Sequence, residues 1–336
     1  MKKYICIIIL FVLSSSAVFS QDYHLSQFDM ASLYLNPALT GMYGGEKGDY
    51  KIYNDYRSQW AALGTQSFST IYLGFDMPIQ KWGKNFGVGL YIIDERAPAG
   101  AFSTMNVMGS IAYDIMSKES SNGKHYLTTG IQFGAFSKTY NPANFTYGDQ
   151  YSATLGGFDQ SIPSGEVFNK SSVTDFDLDY GLFYKYIDEA AGVHPYLGFS
   201  LQHITMPNES FTLTKSDLPM RFNFEGGADF KASDNLKLSP RFLYMTEAGA
   251  TEFDIGMLGF YKINTSLFEA MLGGDYRVND AAVIHIGLKY GEDIFRFSYD
   301  INTSYLNAFT GGRGAWEFSL ILTGLKGHPL IGKTMF

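Results

Sequence analysis

The sequence predicts an all-β protein: a transmembrane antiparallel β-barrel of about 14 strands, with a short N-terminal periplasmic or plug segment. Three observations lead there. Apolar and polar residues alternate with period two over many segments, most of them roughly 9 to 13 residues long. The connections between these segments are mostly short and long in turn. After Gln21 no window holds the run of roughly 18 apolar residues that marks a membrane helix.

Composition sets the bounds. The chain has 336 residues, 46% apolar and 16% aromatic, and only 17% of its residues are charged, against about 25% in an ordinary soluble chain. So much apolar surface excludes intrinsic disorder. A formal charge of −8 speaks against a nucleic-acid binder, which needs a basic face.

Residues 1–20 read as an export signal peptide. Lys2 and Lys3 form a positive start, Ile5 to Leu13 an apolar core, and Val18-Phe19-Ser20 offers small side chains before a cut at Gln21. The apolar core is shorter than the roughly 20 residues of a membrane span. Cys6 lies early in that core, not just behind a cleavage site, which argues against a lipoprotein anchor. It is the single cysteine, so the mature chain has no disulfide framework. Its net charge is about −10, the stated −8 less the two lysines. Such a chain is expected in the outer membrane.

Residues 21–48 form the N-terminal segment. Ser26–Tyr34 suits a short helix, and Leu35-Asn36-Pro37-Ala38-Leu39-Thr40-Gly41 is a turn-rich stop. Asn36, Pro37 and Gly41 are expected to set that turn, since proline restricts φ and glycine tolerates positive φ. The segment serves either to seal the barrel or as a periplasmic contact.

Residues 49–324 carry the barrel. The strands are expected at 49–57, 68–78, 85–95, 105–115, 126–140, 175–187, 194–204, 220–231, 236–247, 252–262, 267–277, 281–290, 294–302 and 314–324. In 175–187 one face reads Phe176, Leu178, Tyr180, Leu182, Tyr184 and Tyr186, and the other Asp175, Asp177, Asp179, Gly181, Phe183 and Lys185. In 294–302, Phe295, Phe297, Tyr299 and Ile301 oppose Arg296, Ser298 and Asp300. Segments 68–78 and 126–140 alternate poorly. The remaining residues, 325–336, form a periplasmic tail or carry a terminal folding signal at Phe336.

Short connections (79–84, 116–125, 188–193, 232–235, 263–266, 291–293) interleave with long ones, above all 141–174 and 205–219. Short turns toward the periplasm and long loops outward are the outer-membrane pattern, although 248–251 and 278–280 break the parity. A soluble β-sandwich or propeller would alternate too, with its polar face outward. Strand length and the aromatic load favour the barrel. Its oily face then meets lipid, and Asp114, Asp177, Asp179, Arg221, Glu225, Asp229, Arg241, Glu269, Asp275, Arg277, Arg296, Asp300 and Glu317 line the lumen.

No catalytic constellation appears, no metal spacing and no cofactor motif. The six histidines are scattered, and His285 beside Lys289 reads as lumen lining. Asp175, Asp177 and Asp179 project to one face about 7 Å apart; they suit either Ca²⁺ or, more readily, pairing with lumen Arg and Lys. Arg57, Gln59 and Trp60 sit where the first strand meets the first outer loop and are expected to fix that loop or touch a partner, with Trp60 equally readable as an interface ring. Arg313 and Glu317 are expected to form an ion pair in the lumen or at its mouth.

Gln27-Phe28, the run Asn36-Pro37-Ala38-Leu39-Thr40-Gly41 and then Tyr56-Arg57-Ser58-Gln59-Trp60 resemble the opening signature of the PorP/SprF family. Ser298-Tyr299-Asp300-Ile301 and Gly312-Arg313-Gly314-Ala315-Trp316-Glu317-Phe318-Ser319-Leu320 resemble its closing block. The resemblance implies an outer-membrane component of the Bacteroidetes type IX secretion and gliding-motility apparatus, without enzyme activity. It implies as partners a secreted cell-surface adhesin, exported or anchored through its C-terminal domain, and periplasmic secretion components. The alternative is an outer-membrane diffusion channel or small-solute transporter, and a third class is an outer-membrane hydrolase.

Overall fold

The computed structural model describes residues 23–42, 48–64, 66–81, 84–98, 101–120, 123–166, 170–188, 190–263 and 267–324. The expected signal peptide (1–20) and the C-terminal tail (325–336) lie outside the described residues.

Period-two alternation becomes strand at every expected place. The strands are β1 (Tyr50–Gln59), β2 (Phe68–Lys81), β3 (Lys84–Ala97), β4 (Phe102–Ser120), β5 (Gly123–Thr139), the short β6 (Tyr151–Ser152) and β7 (Gly157–Phe158), and β8 (Ser172–Ile187). They continue with β9 (Val193–Gln202), β10 (Arg221–Lys231), β11 (Leu236–Glu247), β12 (Ala250–Lys262), β13 (Phe268–Arg277), β14 (Ala281–Tyr290), β15 (Asp293–Asn302) and β16 (Arg313–Gly324). All but β6 and β7 close one barrel of 14 antiparallel strands among the described residues. β1 pairs with β16 from Tyr50–Gly324 to Gln59–Ala315, so no sheet edge is left open there.

The largest boundary change is at β4 and β5, whose ladder continues to Ser120–Gly123 and nearly removes the connection expected at 116–125. A bulge between Asp114 and Met116 explains why. It inserts one residue, turning Ile115 and Met116 outward together, and so scrambles the alternation on which the boundary was read.

The faces are those of a membrane barrel. Ile71, Leu73 and Phe75 of β2 and Ile284, Ile286 and Leu288 of β14 are exposed on the outside. Arg57, Glu225, Arg277, His285, Asp300 and Glu317 are buried on the inside. Water would not tolerate that outer belt, and a soluble sandwich is excluded. The connections sort into a short-turn end (for example 232–235 and 291–292) and a long-loop end, which carries 140–171 and 203–220.

Candidate functional site: a plugged lumen and its outer loops

The N-terminal segment fills the lumen. Tyr23–Met42 carries three isolated turns of helix, Phe28–Met30, Ser32–Leu35 and Pro37–Leu39, each far too short to persist alone. The wall therefore holds them. Tyr23, Leu25, Met30, Leu33 and Tyr34 pack on Tyr53, Tyr72, Tyr91, Ile93 and Met108 of the barrel, while Phe28 and Leu35 pack on Leu243 and Met245. Near the long-loop end His24 Nδ1 stands 3.1 Å from Glu252. Toward the short-turn end the Gly41 N–H donates to Asp76 at 2.7 Å. The plug thus runs the depth of the lumen before β1 begins.

Two charge clusters anchor it, one buried and one partly exposed at Asp29. In the first, Arg57 donates to Glu317 and Asp300, both at 2.9 Å, and to the Ser26 hydroxyl at 2.6 Å. Arg277 reaches Asp300 at 2.7 Å and Ser26 at 3.1 Å. The Ser26 and Gln27 amides donate to the two Glu317 oxygens at 2.8 and 2.7 Å. The Ser26 hydroxyl donates to Asp300 at 2.8 Å, so two arginines, two carboxylates and the plug are paired away from water, as buried charge requires.

The second cluster turns on Asp29, which accepts from Arg241 at 2.5 Å and from Arg296 at 2.6 and 2.8 Å. Arg241 is also held by Asp275, which takes His285 Nε2 at 2.8 Å, and its guanidinium lies 4.6 Å over the Phe28 ring. Asp29→Asn replaces charge-assisted bonds by weaker ones, a loss of about 1.5–3 kcal/mol. Amides of Gln27–Leu35 are expected to exchange hydrogen roughly tenfold faster or more, with the strand amides unchanged. Equal plug exchange in the variant would show that Asp29 does not anchor it.

The Asn36–Gly41 run acts as backbone geometry. The Asn36 side chain accepts the Ala38 N–H at 2.9 Å, and Pro37 opens the last turn. Asn36 Nδ2 donates outward to Leu182 O and Glu225 Oε1, both at 3.0 Å, tying the plug to β8 and β10. Gly41 has φ +61 and sits against the Met77 carbonyl, where a Cβ would not fit. The wall answers with glycines of its own: a Cβ on Gly130 would strike the Pro37 carbonyl, and one on Gly181 the Asn36 side chain.

The other expected site residues are dispersed. Arg57 faces the lumen and is only 1% exposed, so it holds the plug rather than an outer loop. Gln59 lies opposite Ala315 and Phe68 in the ladder. Trp60 follows β1 at φ +56, its N–H donating to Gly314 O at 2.8 Å and its ring edge-on to Phe68. Arg313 and Glu317 do not meet. Arg313 Nε donates to the Thr310 carbonyl at 3.2 Å, and Glu317 belongs to Arg57. Both lie on one strand four positions apart, about 13 Å, too far for an ion pair.

Asp175 also leaves its expected group. It sits exposed at the rim, accepting the Asn208 and Phe176 amides at 2.8 Å each. The structure instead gathers Asp177, Asp179 and His203, with ligand atoms within 4.8 Å of one another. Hydrogen bonds already engage them: His203 Nδ1 lies 2.6 Å from Asp177, and the His203 N–H donates to Asp179 at 2.9 Å. They fasten the loop after β9 to β8, where Ile204 N–H reaches Leu178 O at 2.9 Å. From sequence these acids are expected to pair with lumen Arg and Lys; the hydrogen-bond partner that Asp177 and Asp179 share is His203.

Ser26 and Asp29, which tie the plug to the wall, are residues that sequence reasoning passed over. A lone acid in an otherwise apolar run, opposite a lumen with several arginines, was the available signal.

Comparison with known proteins follows this geometry. The family described as type IX secretion system membrane protein PorP/SprF matches residues 17–322. No curated protein matches the sequence. Among solved structures, a deletion mutant of TodX, titled a monoaromatic hydrocarbon channel, superposes with TM-score 0.49 at 8% identity, covering 87% of this chain and 92% of that one. A FadL homologue of Pseudomonas aeruginosa gives TM-score 0.46 at 12% identity over 92% and 95% of the two chains. A triple mutant of the Rhodopseudomonas blastica porin gives 0.33 at 8% identity over 81% and 98%.

Proposed function

This chain belongs to the PorP/SprF family of type IX secretion system membrane proteins, and from that premise we propose that it is a non-enzymatic outer-membrane partner of a secreted surface protein. The barrel binds an adhesin through the adhesin's C-terminal domain and helps to export or anchor it. Membership places the chain in the secretion machinery, and the closed barrel with its apolar belt is an outer-membrane protein.

The observation that carries the reading is the plug. A lumen crossed by Tyr23–Met42, with the plug bonded to a buried wall cluster at Ser26 and paired with wall arginines at Asp29, is poorly suited to passing solutes. The work is thereby moved to the ends of the barrel, where the loops 140–171 and 203–220 stand outward and the short turns face the periplasmic secretion components. The same observation weighs against a diffusion channel.

Deleting the barrel is expected to abolish surface display of one exported protein, read by surface proteomics of intact cells, while uptake of small solutes stays as before. Unchanged display with altered permeability would reverse the assignment in favour of the channel.

A further inference from the structure

The connection between β5 and β8 is a folded knob. The Asn141 side chain accepts the Ala143 N–H at 3.1 Å, and the 3-10 turn Pro142–Asn144 follows. Gln150 accepts the Tyr147 N–H at 3.1 Å and donates to Ile162 O at 2.9 Å. The rings of Tyr140 and Phe145 join Phe102 and Phe211, with the closest pair, Tyr140 and Phe211, 4.5 Å apart. This base welds the knob to β4 and to the loop after β9.

On the base, the β6–β7 hairpin holds three large apolar side chains to solvent: Tyr151, Leu155 and Phe158, exposed by 55, 69 and 54%. The Tyr151 and Phe158 rings meet edge-on at 5.6 Å, which fixes them in place. They stand beyond Thr139 and Ser172, where the wall strands end, so they are not part of the lipid-facing belt. A rigid, uncovered apolar tip marks a contact site. Its surroundings are acidic: residues 141–171 contain Asp149, Asp159 and Glu166 against Lys170 alone. The Ser161 hydroxyl and amide hold the Asp159 carboxyl below its usual range, keeping it charged.

We propose that this knob docks the exported protein, its apolar tip entering a groove rimmed by Lys and Arg on that protein's folded C-terminal domain. The inference rests on the function proposed above. Charge complementarity selects the partner, because an acidic knob is matched by a basic rim and repelled by an anionic membrane surface. Within the knob, an open pocket of about 390 Å³ lined by Phe145, Tyr147, Gln150, Ser161, Ile162 and Pro163 offers room for a partner side chain.

The test uses the full chain in its own host. Tyr151→Ser, Leu155→Ser and Phe158→Ser together are expected to lower display of the protein that the deletion strain loses by about tenfold or more, with the barrel still shifting on heating in gels. Asp149→Asn, Asp159→Asn and Glu166→Gln together are expected to weaken the hold and remove its salt dependence. In an otherwise cysteine-free mature chain, Tyr151→Cys is expected to react with a water-soluble maleimide about tenfold faster in cells lacking the displayed protein. Normal display in the triple serine variant, where deletion still abolishes it, overturns the knob and leaves the function standing. Slow labelling in both strains would place the tip in lipid and overturns it as well. Normal display in the deletion strain overturns the parent reading and this one with it.

Discussion

Valine at Gly130 and Gly181 together is expected to expel the plug and convert a silent barrel into a conducting one. Both glycines face the lumen where the Asn36-Pro37 backbone passes, and a Cβ at Gly130 would meet the Pro37 carbonyl itself. The Pro37 carbonyl has no rotamer to change, and the Asn36 side chain that Gly181 faces is pinned by Ala38, Leu182 and Glu225, so overpacking costs about 1–3 kcal/mol or more per site. Two such sites shift the docked-to-undocked balance by roughly two orders of magnitude or more. The strands do not depend on the plug for their ladder, and heat-modifiable gel migration should persist. Planar-bilayer recordings then read the result: little steady conductance before substitution, sustained open events after it. Silent bilayers from a correctly folded double variant would mean that the lumen is closed by something other than Asn36–Gly41.

Arg57→Met should be the most destabilising single change in the barrel. The guanidinium is 1% exposed and serves Glu317, Asp300 and Ser26 at once. Without it, Glu317 is left buried against the plug amides, and Asp300 keeps one arginine, Arg277, beside the Ser26 hydroxyl. Breaking a buried pair from one side costs about 3–5 kcal/mol, and Arg57→Lys should recover only part, since an ammonium cannot replace the two-sided fork. Gln59→Ala, two positions on in the same motif, should stay within about 0.5 kcal/mol. Urea unfolding in detergent reads all three. If Arg57→Met unfolds like the parent chain but loses its secreted partner, the residue touches that partner and the lumen cluster is dispensable.

These expectations show what could be read from residues in a row. The strands could, because side-chain direction in a strand repeats every two positions and needs no distant partner. The segment 281–290 coincides with β14 to the residue. Where a bulge broke the period, at Ile115, the reading failed for the same reason. The Asn36-Pro37 and Gly41 turn was legible too, since its chemistry is local. The partners of Arg57 were not. Ser26 and Glu317 are separated by 291 positions, and nothing in the order of residues brings them together.

By itself the sequence determined the all-β class, the strand number, the alternating connections and the resemblance on which family membership rests, because each is carried by short-range pattern or local motif. The tertiary structure decided which face meets lipid, since alternation is symmetric between inside and outside until the barrel closes. It also decided that Tyr23–Met42 is a plug rather than a periplasmic appendage, and that Glu317 pairs with Arg57 instead of Arg313. Closure brings β1, β15 and β16 side by side, and only a closed wall puts two arginines and two carboxylates around one serine.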